Sequence, residues 1–485
     1  MGEESLKNKT VNGVIWSFIE RFSVQGVVFV LDLIIARLIG PDNYGLIAML
    51  AIFMSVSQVF IDGGFSSALI QRKQRTAADF STVFYINFGI SLLTYAALFF
   101  AAPAIASFFG QPILAPITRV YSFNLVLNSL VAVNRTKLTI DVDFKTQSKI
   151  SFYSAVLSGV VGVGLAWYGY GVWALVYQAL ALALLNVLFS FYYVRWLPRE
   201  GFSRDSFKNL FAFGSKLLVA NIISALYAKA YDVVIGKKFD KGSLGLYSRA
   251  DKFNQFASSN ISGVLQRVSF PVLSQIQDDD ARLLSAYKKY MQISALVVFP
   301  LILGMCGIAR PMIEALLGQQ WMGCVTMLQI LAFAYLWDCV VMVNLNLIYV
   351  KGHSDYVLKL EIIKKSIAFA ILAVTLFFDL TVICCGRVVY SLIAFYLNTY
   401  YTKKLLNYGF LTQLKELAPI LFMSLVVTAI GLLVSWMVSN AIAALVLSLL
   451  VCPLAYVIMC RLFKVQAFDE LLDILKNKLN GIRKH

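Results

Sequence analysis

Two long stretches of the chain carry no charged side chain. Residues 150–194 and residues 417–460 contain no Lys, Arg, Asp or Glu. Each stretch is long enough for two helical crossings of a bilayer, which take about 20 residues apiece. A turn signal lies near the middle of each, at Gly169 and Gly171 in the first and at Ser439 and Asn440 in the second. The sequence therefore predicts two helical hairpins that span a membrane.

The composition extends this interpretation to the whole chain. Apolar residues make up 59% of the sequence and charged residues 14%, whereas a soluble domain carries about 25% charge. We therefore predict an all-α, polytopic membrane protein. The net charge of +16 would also suit a nucleic-acid partner. The basic residues lie in short loops between apolar stretches, however, which is typical of membrane topology, and no nucleic-acid partner is predicted.

Hydropathy and turn signals predict fourteen membrane-spanning helices. The three most polar spans, at 11–37, 211–236 and 243–269, fit a membrane only if they face a water-filled interior. Basic residues are enriched in alternate loops, with an exception at 237–241, and this pattern places both termini in the cytoplasm. A bacterial inner membrane is the simplest location. The other predicted spans are 44–66, 80–105, 114–136, 149–168, 171–194, 286–309, 323–350, 357–379, 382–402, 416–438 and 441–462.

The chain repeats itself weakly and in order. The segment 35–46 aligns with 235–246, 103–110 with 311–318, and 131–134 with 341–344. An even number of spans in each repeat gives both halves the same orientation, so the repeat is a parallel one with a cavity between its halves. We predict an N-terminal lobe of six spans at residues 1–200, a C-terminal lobe of six spans at 201–410, an appended hairpin at 411–464 and a cytoplasmic interfacial amphipathic helix at 465–485.

Ionisable residues concentrate in spans one, two, seven and eight, which are the equivalent pairs of the two repeats. Such residues are the usual functional candidates within a membrane. A basic stripe suits an anionic cargo, because Arg and Lys bind phosphate oxygens. The alternative is that these cations pair with carboxylates and hold the lobes together, and Arg267 can also extend to the interface. The candidate headgroup residues are Arg21, Lys229, Arg249, Lys252 and Arg267.

Several carboxylates within the predicted spans are candidates for coupling transport to an ion. A buried carboxylate with a raised pKa can carry a proton, whereas one paired with a cation stays ionised and is structural. No cofactor is predicted, and Na⁺ or H⁺ is the possible coupling ion. Seven cysteines without metal-ligand spacing and only two histidines give no metal site. The candidate carboxylates are Glu20, Asp32, Asp62, Asp232 and Asp338.

The end of the first span resembles a known family. Gly13-Val-Ile-Trp16, followed by Leu33-Ile-Ile-Ala-Arg-Leu-Ile-Gly-Pro-Asp-Asn-Tyr-Gly45, is similar to the start of the polysaccharide transport family, and its opening to the colanic-acid-exporter-like branch. That family belongs to the multidrug/oligosaccharidyl-lipid/polysaccharide (MOP) exporter superfamily. Within the motif, Arg37, Gly40 and Gly45 are the family positions. The residues alone favour a tight turn here, with Arg37 at the lipid headgroups.

The resemblance implies a flippase that moves undecaprenyl-pyrophosphate-linked oligosaccharide to the periplasmic leaflet for O-antigen, capsule or exopolysaccharide synthesis. It implies a cavity lined by spans one, two, seven and eight, in which Arg21 and Arg249 match the arginines of the related lipid II flippase. Span two has Asp62 and no basic residue in its interior, which departs from that pattern. The uncharged hairpin at 417–460 is compatible with a groove for the lipid tail.

Other functions remain open at this stage. An ion-coupled multidrug exporter of the same superfamily is the alternative, although its cavity should be acidic or apolar. A scramblase without ion coupling is a further reading. A polymerase or ligase of the same sugars is disfavoured, because the predicted periplasmic loops are short. The expected partners are the bilayer, the lipid-linked oligosaccharide and a polysaccharide polymerase complex, which the helix at 465–485 could bind.

Overall fold

The computed structural model describes the backbone of residues 3–72 and 74–470. It describes the side chains of all these residues except 3–24, 213, 216, 220, 259–268, 270, 271 and 354. The described chain is built from helices joined by short turns. In order, the helices are Glu3–Asp62 (α1), Phe65–Gln71 (α2), Ala77–Phe109 (α3), Leu114–Tyr121 (α4), Phe123–Ile140 (α5), Phe144–Trp167 (α6), Val172–Val194 (α7), Arg204–Lys238 (α8), Lys241–Gln275 (α9), Asp280–Gly307 (α10), Ala309–Leu316 (α11), Cys324–Tyr335 (α12), Asp338–Val350 (α13), Ser354–Thr375 (α14), Leu380–Leu406 (α15), Phe410–Met437 (α16) and Ala441–Leu462 (α17).

The long helix α1 contains the predicted boundary between spans one and two. Gly40 breaks it with a φ of 77°, a left-handed conformation that favours glycine, and Pro41 begins the second segment.

Spans four and ten, which the repeat makes equivalent, are each divided into two helices. The divisions lie at Ser122 and at Leu336–Trp337. Neither division contains a proline or a glycine.

Within the residues that the structure describes, ten helical segments are long and apolar enough to cross a membrane, which agrees with a polytopic membrane protein. The first of them, Gln25–Gln71, contains most of the first two predicted spans. The predicted spans at 114–136, 243–269 and 357–379 lie on helices outside this set, so the count of fourteen stays a prediction. The predicted surface helix at 465–485 lies mostly outside the described residues.

Two compact units, Met1–Gly245 and Leu246–His485, divide the chain. In the first unit, α1 packs against α6 and α8. Gly162 on α6 allows the close approach to α1, since an added Cβ would lie 2.9 Å from Ile35 Cδ1. Ser91 on α3 and Ser129 on α5 share a hydrogen bond of 3.0 Å within the same unit. Small and hydroxyl side chains therefore bring these helices together, as is common in membranes.

The second unit has a large core between α10, α13, α15, α16 and α17. Trp337 stacks on Phe395 with their ring centroids 4.9 Å apart. The hairpin of α16 and α17 is fixed to α10 by two hydroxyl donors, Thr428 to the Leu303 carbonyl at 2.8 Å and Tyr456 to the Leu296 carbonyl at 2.9 Å. The uncharged hairpin is therefore an integral part of this unit.

Candidate functional site

Two carboxylates in the first unit occupy equivalent positions of the repeat. Asp32 lies on α1 and Asp232 lies on α8, two hundred residues further along the chain. The Tyr44 hydroxyl donates to Asp32 Oδ1 at 3.0 Å, whereas Lys229 Nζ lies 3.1 Å from Asp232 Oδ2. The predicted pair of Lys229 and Asp232 is therefore present. The Tyr44 hydroxyl is thus one partner of Asp32, and the Lys229 ammonium is one partner of Asp232.

Asp62, another predicted carboxylate of this unit, is the last residue of α1. Its Oδ1 accepts the Ser66 hydroxyl at 2.6 Å. Gly63 and Gly64 follow it, both with positive φ, and they turn the chain into α2. Asp62 thus belongs to a helix end and a tight turn.

The basic residues predicted on α9 lie in different surroundings. Arg249 is only 2% exposed, and its guanidinium lies 5.3 Å from the ring centroid of Trp321, which is itself fully buried. A cation at this distance over an indole face gains electrostatic attraction from the ring. Lys252, one turn further along, is exposed. Of these two cations, Lys252 is therefore the exposed one and Arg249 the buried one.

A polar network in the second unit was missed by the sequence analysis. The Arg387 guanidinium on α15 contacts the Asp251 carboxylate on α9 and donates to the Tyr247 hydroxyl at 2.8 Å. It also donates to the Tyr335 hydroxyl at 3.1 Å, and Tyr335 in turn donates to Asp251 at 2.8 Å. Arg387 lies in the predicted span 382–402, outside the four spans in which the sequence analysis expected the charges to concentrate.

Asp338 begins α13 close to this network. The Ser258 hydroxyl lies 3.4 Å from Asp338 Oδ2, which is a long hydrogen bond. Asp338 is therefore tied to α9, the helix that carries Asp251. Asp338 and Arg387 thus both contact α9, Asp338 through Ser258 and Arg387 through Asp251.

Three comparisons place this arrangement among known proteins. Residues 34–326 match the family described as polysaccharide biosynthesis protein. The chain belongs to this family. The match covers the Arg37, Gly40 and Gly45 motif as well as Arg249, Lys252 and Arg267. The resemblance found from the motif is therefore confirmed.

Curated relatives carry names from the same area of biology. The chain is 25% identical over 301 residues to the teichuronic acid biosynthesis protein TuaB of Bacillus subtilis, covering 62% of each chain. It is 26% identical to the succinoglycan biosynthesis transport protein ExoT of Rhizobium meliloti, covering 64% of each. It is 25% identical to the lipopolysaccharide biosynthesis protein WzxC of Escherichia coli, covering 74% of each. The chain thus spans slightly less than two thirds of the first two relatives.

Solved structures identify the fold. The chain is similar to the lipid II flippase MurJ in an inward closed conformation, with a TM-score of 0.75 at 14% identity, over 95% of this chain and 100% of that one. It is also similar to an inward-facing multidrug resistance MATE family transporter of the MOP superfamily, with a TM-score of 0.61 at 16% identity, over 81% and 98%. The chain therefore has the fold of these two proteins, which agrees with the predicted MOP-superfamily fold, whereas the fourteen spans and the lobe layout stay predictions. ExoT, MurJ and the MATE protein are named as a transport protein, a flippase and a transporter, and none of them is named as an enzyme.

The structure places the family motif at the break in α1. Gly40 is the break itself, and Gly45 lies one turn into the second segment. Arg37 is exposed just before the break, which fits a headgroup anchor. Three other candidates, Glu20, Arg21 and Arg267, have side chains outside the described part of the chain, so their roles stay predictions.

Proposed function

We propose that the protein is a flippase for a saccharide linked to undecaprenyl pyrophosphate, and that it moves this lipid from the cytoplasmic to the periplasmic leaflet by alternating access. One observation carries the proposal: a chain of the polysaccharide biosynthesis family has the fold of a lipid II flippase along 95% of its length. The proposed location is a bacterial inner membrane with both termini in the cytoplasm. A polysaccharide polymerase complex is the proposed partner.

The chemistry of the substrate explains the charges. A pyrophosphate brings negative charge into a space that would otherwise exclude it, and a basic residue compensates that charge with charge-assisted hydrogen bonds. Lys252 is exposed, whereas Arg249 is buried against Trp321. We therefore assign direct headgroup contact to Lys252 and a supporting positive potential to Arg249. The prenyl chain would lie along the apolar hairpin of α16 and α17.

Lys252→Ala is expected to lower the initial flipping rate about tenfold, which is the value of one hydrogen bond to a charged group. The measurement is the transfer of a fluorescent undecaprenyl-pyrophosphate oligosaccharide between leaflets of proteoliposomes. Lys359→Ala removes another exposed lysine, on α14, and is the matched control. Equal rates for the two variants would contradict the assignment to Lys252.

The same assay distinguishes the alternatives. No flipping by the unmodified protein, together with uptake of a cationic dye, would favour the multidrug exporter. Flipping that is equally fast with ordinary phospholipids would favour a scramblase. Flipping of the saccharide lipid alone supports the proposal.

We further propose that Asp32 couples transport to Na⁺ or H⁺. Asp32 accepts the Tyr44 hydroxyl and occupies the repeat position equivalent to Asp232, which lies beside Lys229. Carboxylates within a membrane are usual sites of proton relay and ion coupling. Asp32→Asn is expected to remove the acceleration that an imposed Na⁺ or pH gradient gives, and to leave gradient-free flipping within about twofold. Asp205→Asn, at an exposed position on α8, is the control. Persistent acceleration in Asp32→Asn would exclude this role.

A further inference from the structure

The beginnings of two equivalent helical segments are in mutual contact within the first unit. Pro41 begins the second segment of α1, and Lys241 begins α9 two hundred residues later. A Cβ added to Gly45 would overlap the Lys241 carbonyl oxygen. A Cβ added to Gly245 would overlap the Pro41 carbonyl oxygen. Each glycine therefore lies against the first residue of the other segment, and we call this the paired-turn contact.

The reciprocity of this contact has a symmetry consequence. The same offset of two hundred residues relates Pro41 to Lys241 and Gly45 to Gly245. The added Cβ atoms would also lie 3.2 Å from the Gly245 nitrogen and 3.1 Å from the Gly45 nitrogen, respectively. A surface that contacts its own repeat in this way is self-complementary, as in a two-fold dimer. The two halves of the repeat detected in the sequence thus contact each other here through equivalent residues.

Polar groups around the paired-turn contact support it from both sides. Lys241 Nζ lies 3.4 Å from Asp42 Oδ2, and a Cβ on Gly242 would lie 2.7 Å from Asp42 Oδ1. Asp240 accepts the Ser243 backbone N–H at 2.8 Å, and this hydrogen bond lowers the pKa of the Asp240 carboxyl below its usual value. Both carboxylates lie at helix N-termini, where negative charge is favourable.

A second contact that also requires glycine joins the turn between α1 and α2 to the first part of α8. A Cβ added to Gly64 would lie 2.6 Å from the Gly214 carbonyl oxygen, and one added to Gly214 would lie 2.8 Å from the Gly63 carbonyl oxygen. Phe65 continues this contact, with its ring centroid 6.2 Å from that of Phe207. We call it the Gly214 contact. Both contacts are present together in this structure.

We propose that these two contacts are the closures of the transport path at its two ends, and that each opens by separating backbone surfaces that only glycine allows to meet. The inference rests on the proposed alternating-access function. With the predicted topology, the paired-turn contact closes the periplasmic end and the Gly214 contact closes the cytoplasmic end. Alanine is the better helix former than glycine, so glycine within a helix at 45, 214 and 245 is explained by the contacts. The two closures must open alternately for a substrate to pass.

The test measures closure of each end separately from transport. Cysteines replace Asp42 and Lys241 to report on one end, and Gln71 and Asn209, which line one cavity, to report on the other. The background carries Cys385→Ser, because Cys385 is the exposed native cysteine. The readout is the rate of disulfide or short-crosslinker formation in proteoliposomes. This measurement needs no substrate.

Gly45→Ala is expected to lower crosslinking between positions 42 and 241 roughly tenfold and to leave crosslinking between 71 and 209 intact or faster. Gly214→Ala is expected to have the opposite effect. Gly26→Ala, on α1 with no atom within 4 Å of its added Cβ, is the matched control and should change neither rate. Equal effects of Gly45→Ala and Gly26→Ala, or the same effect of Gly45→Ala and Gly214→Ala at both ends, would overturn the proposal.

A second measurement covers variants that fail to fold. Disulfide formation at either end of otherwise unaltered protein should stop flipping, and reduction should restore it. Flipping that continues with the 42 and 241 thiols joined would overturn the proposal. If the crosslinking pattern is as expected but no saccharide lipid is flipped before oxidation, the closures stand and the proposed function fails.

Discussion

Arg387→Met is expected to lower the free energy of unfolding by about 3 kcal/mol, because it leaves the Asp251 carboxylate without its cation inside the second unit. The Tyr247 and Tyr335 hydroxyls lose a donor at the same time. The side chains of Arg387 and Asp251 are 20% and 27% exposed, which keeps the expected loss at the low end for a buried pair. The measurement is thermal unfolding of the purified protein in detergent, read as a fall in Tm.

A double-mutant cycle separates this charge effect from lost packing. Asp251→Asn combined with Arg387→Met leaves no lone charge, so the double variant should be more stable than the sum of the two single losses predicts. Arg310→Met, at an exposed arginine on α11, controls for the substitution itself. Strictly additive losses would show that Arg387 and Asp251 do not act as a pair.

The position of Arg387 illustrates what hydropathy can and cannot detect. The predicted spans fall mostly on helices of the described chain, with spans four and ten each divided into two helices. A long apolar segment in a membrane satisfies its backbone hydrogen bonds by forming a helix. The Gly40 break was also predictable, since Gly-Pro ends a helix. The ion pair joins residues 136 positions apart. The local sequence around either residue therefore does not predict which residue is its partner. The charge of Arg387 within an apolar span was the available signal.

The environments of Arg249 and Lys252 were beyond sequence reasoning for a related reason. Helical periodicity places the two residues on adjacent positions of one face of α9, and it cannot tell which neighbour covers that face. Trp321, which covers Arg249, comes from a short 3-10 turn that hydropathy does not mark. The sequence repeat likewise paired Gly45 with Gly245 but gave no reason to expect contact between them.

The repeat also supplies the second large prediction, at the buried asparagines Asn344 and Asn134. Asn344 is fully buried and donates to Gln413 Oε1 at 3.1 Å, and it accepts from the Thr402 hydroxyl at 3.0 Å. Gln413 and Thr402 are also fully buried. Asn344→Leu is therefore expected to lower the free energy of unfolding by about 3 kcal/mol, because two buried polar groups lose a partner. The Tm in detergent measures this loss.

Asn134→Leu is the matched variant, because the repeat aligns Asn134 with Asn344 and both lie within a helix. Asn134 is 1% exposed, and among the described residues neither its amide nitrogen nor its amide oxygen has a hydrogen-bond partner. Removing that amide leaves no other polar group unsatisfied. The free energy of unfolding should therefore fall by less than about 1 kcal/mol. A Tm loss at Asn134 as large as that at Asn344 would mean that volume and shape, rather than hydrogen bonding, determine the cost at both positions.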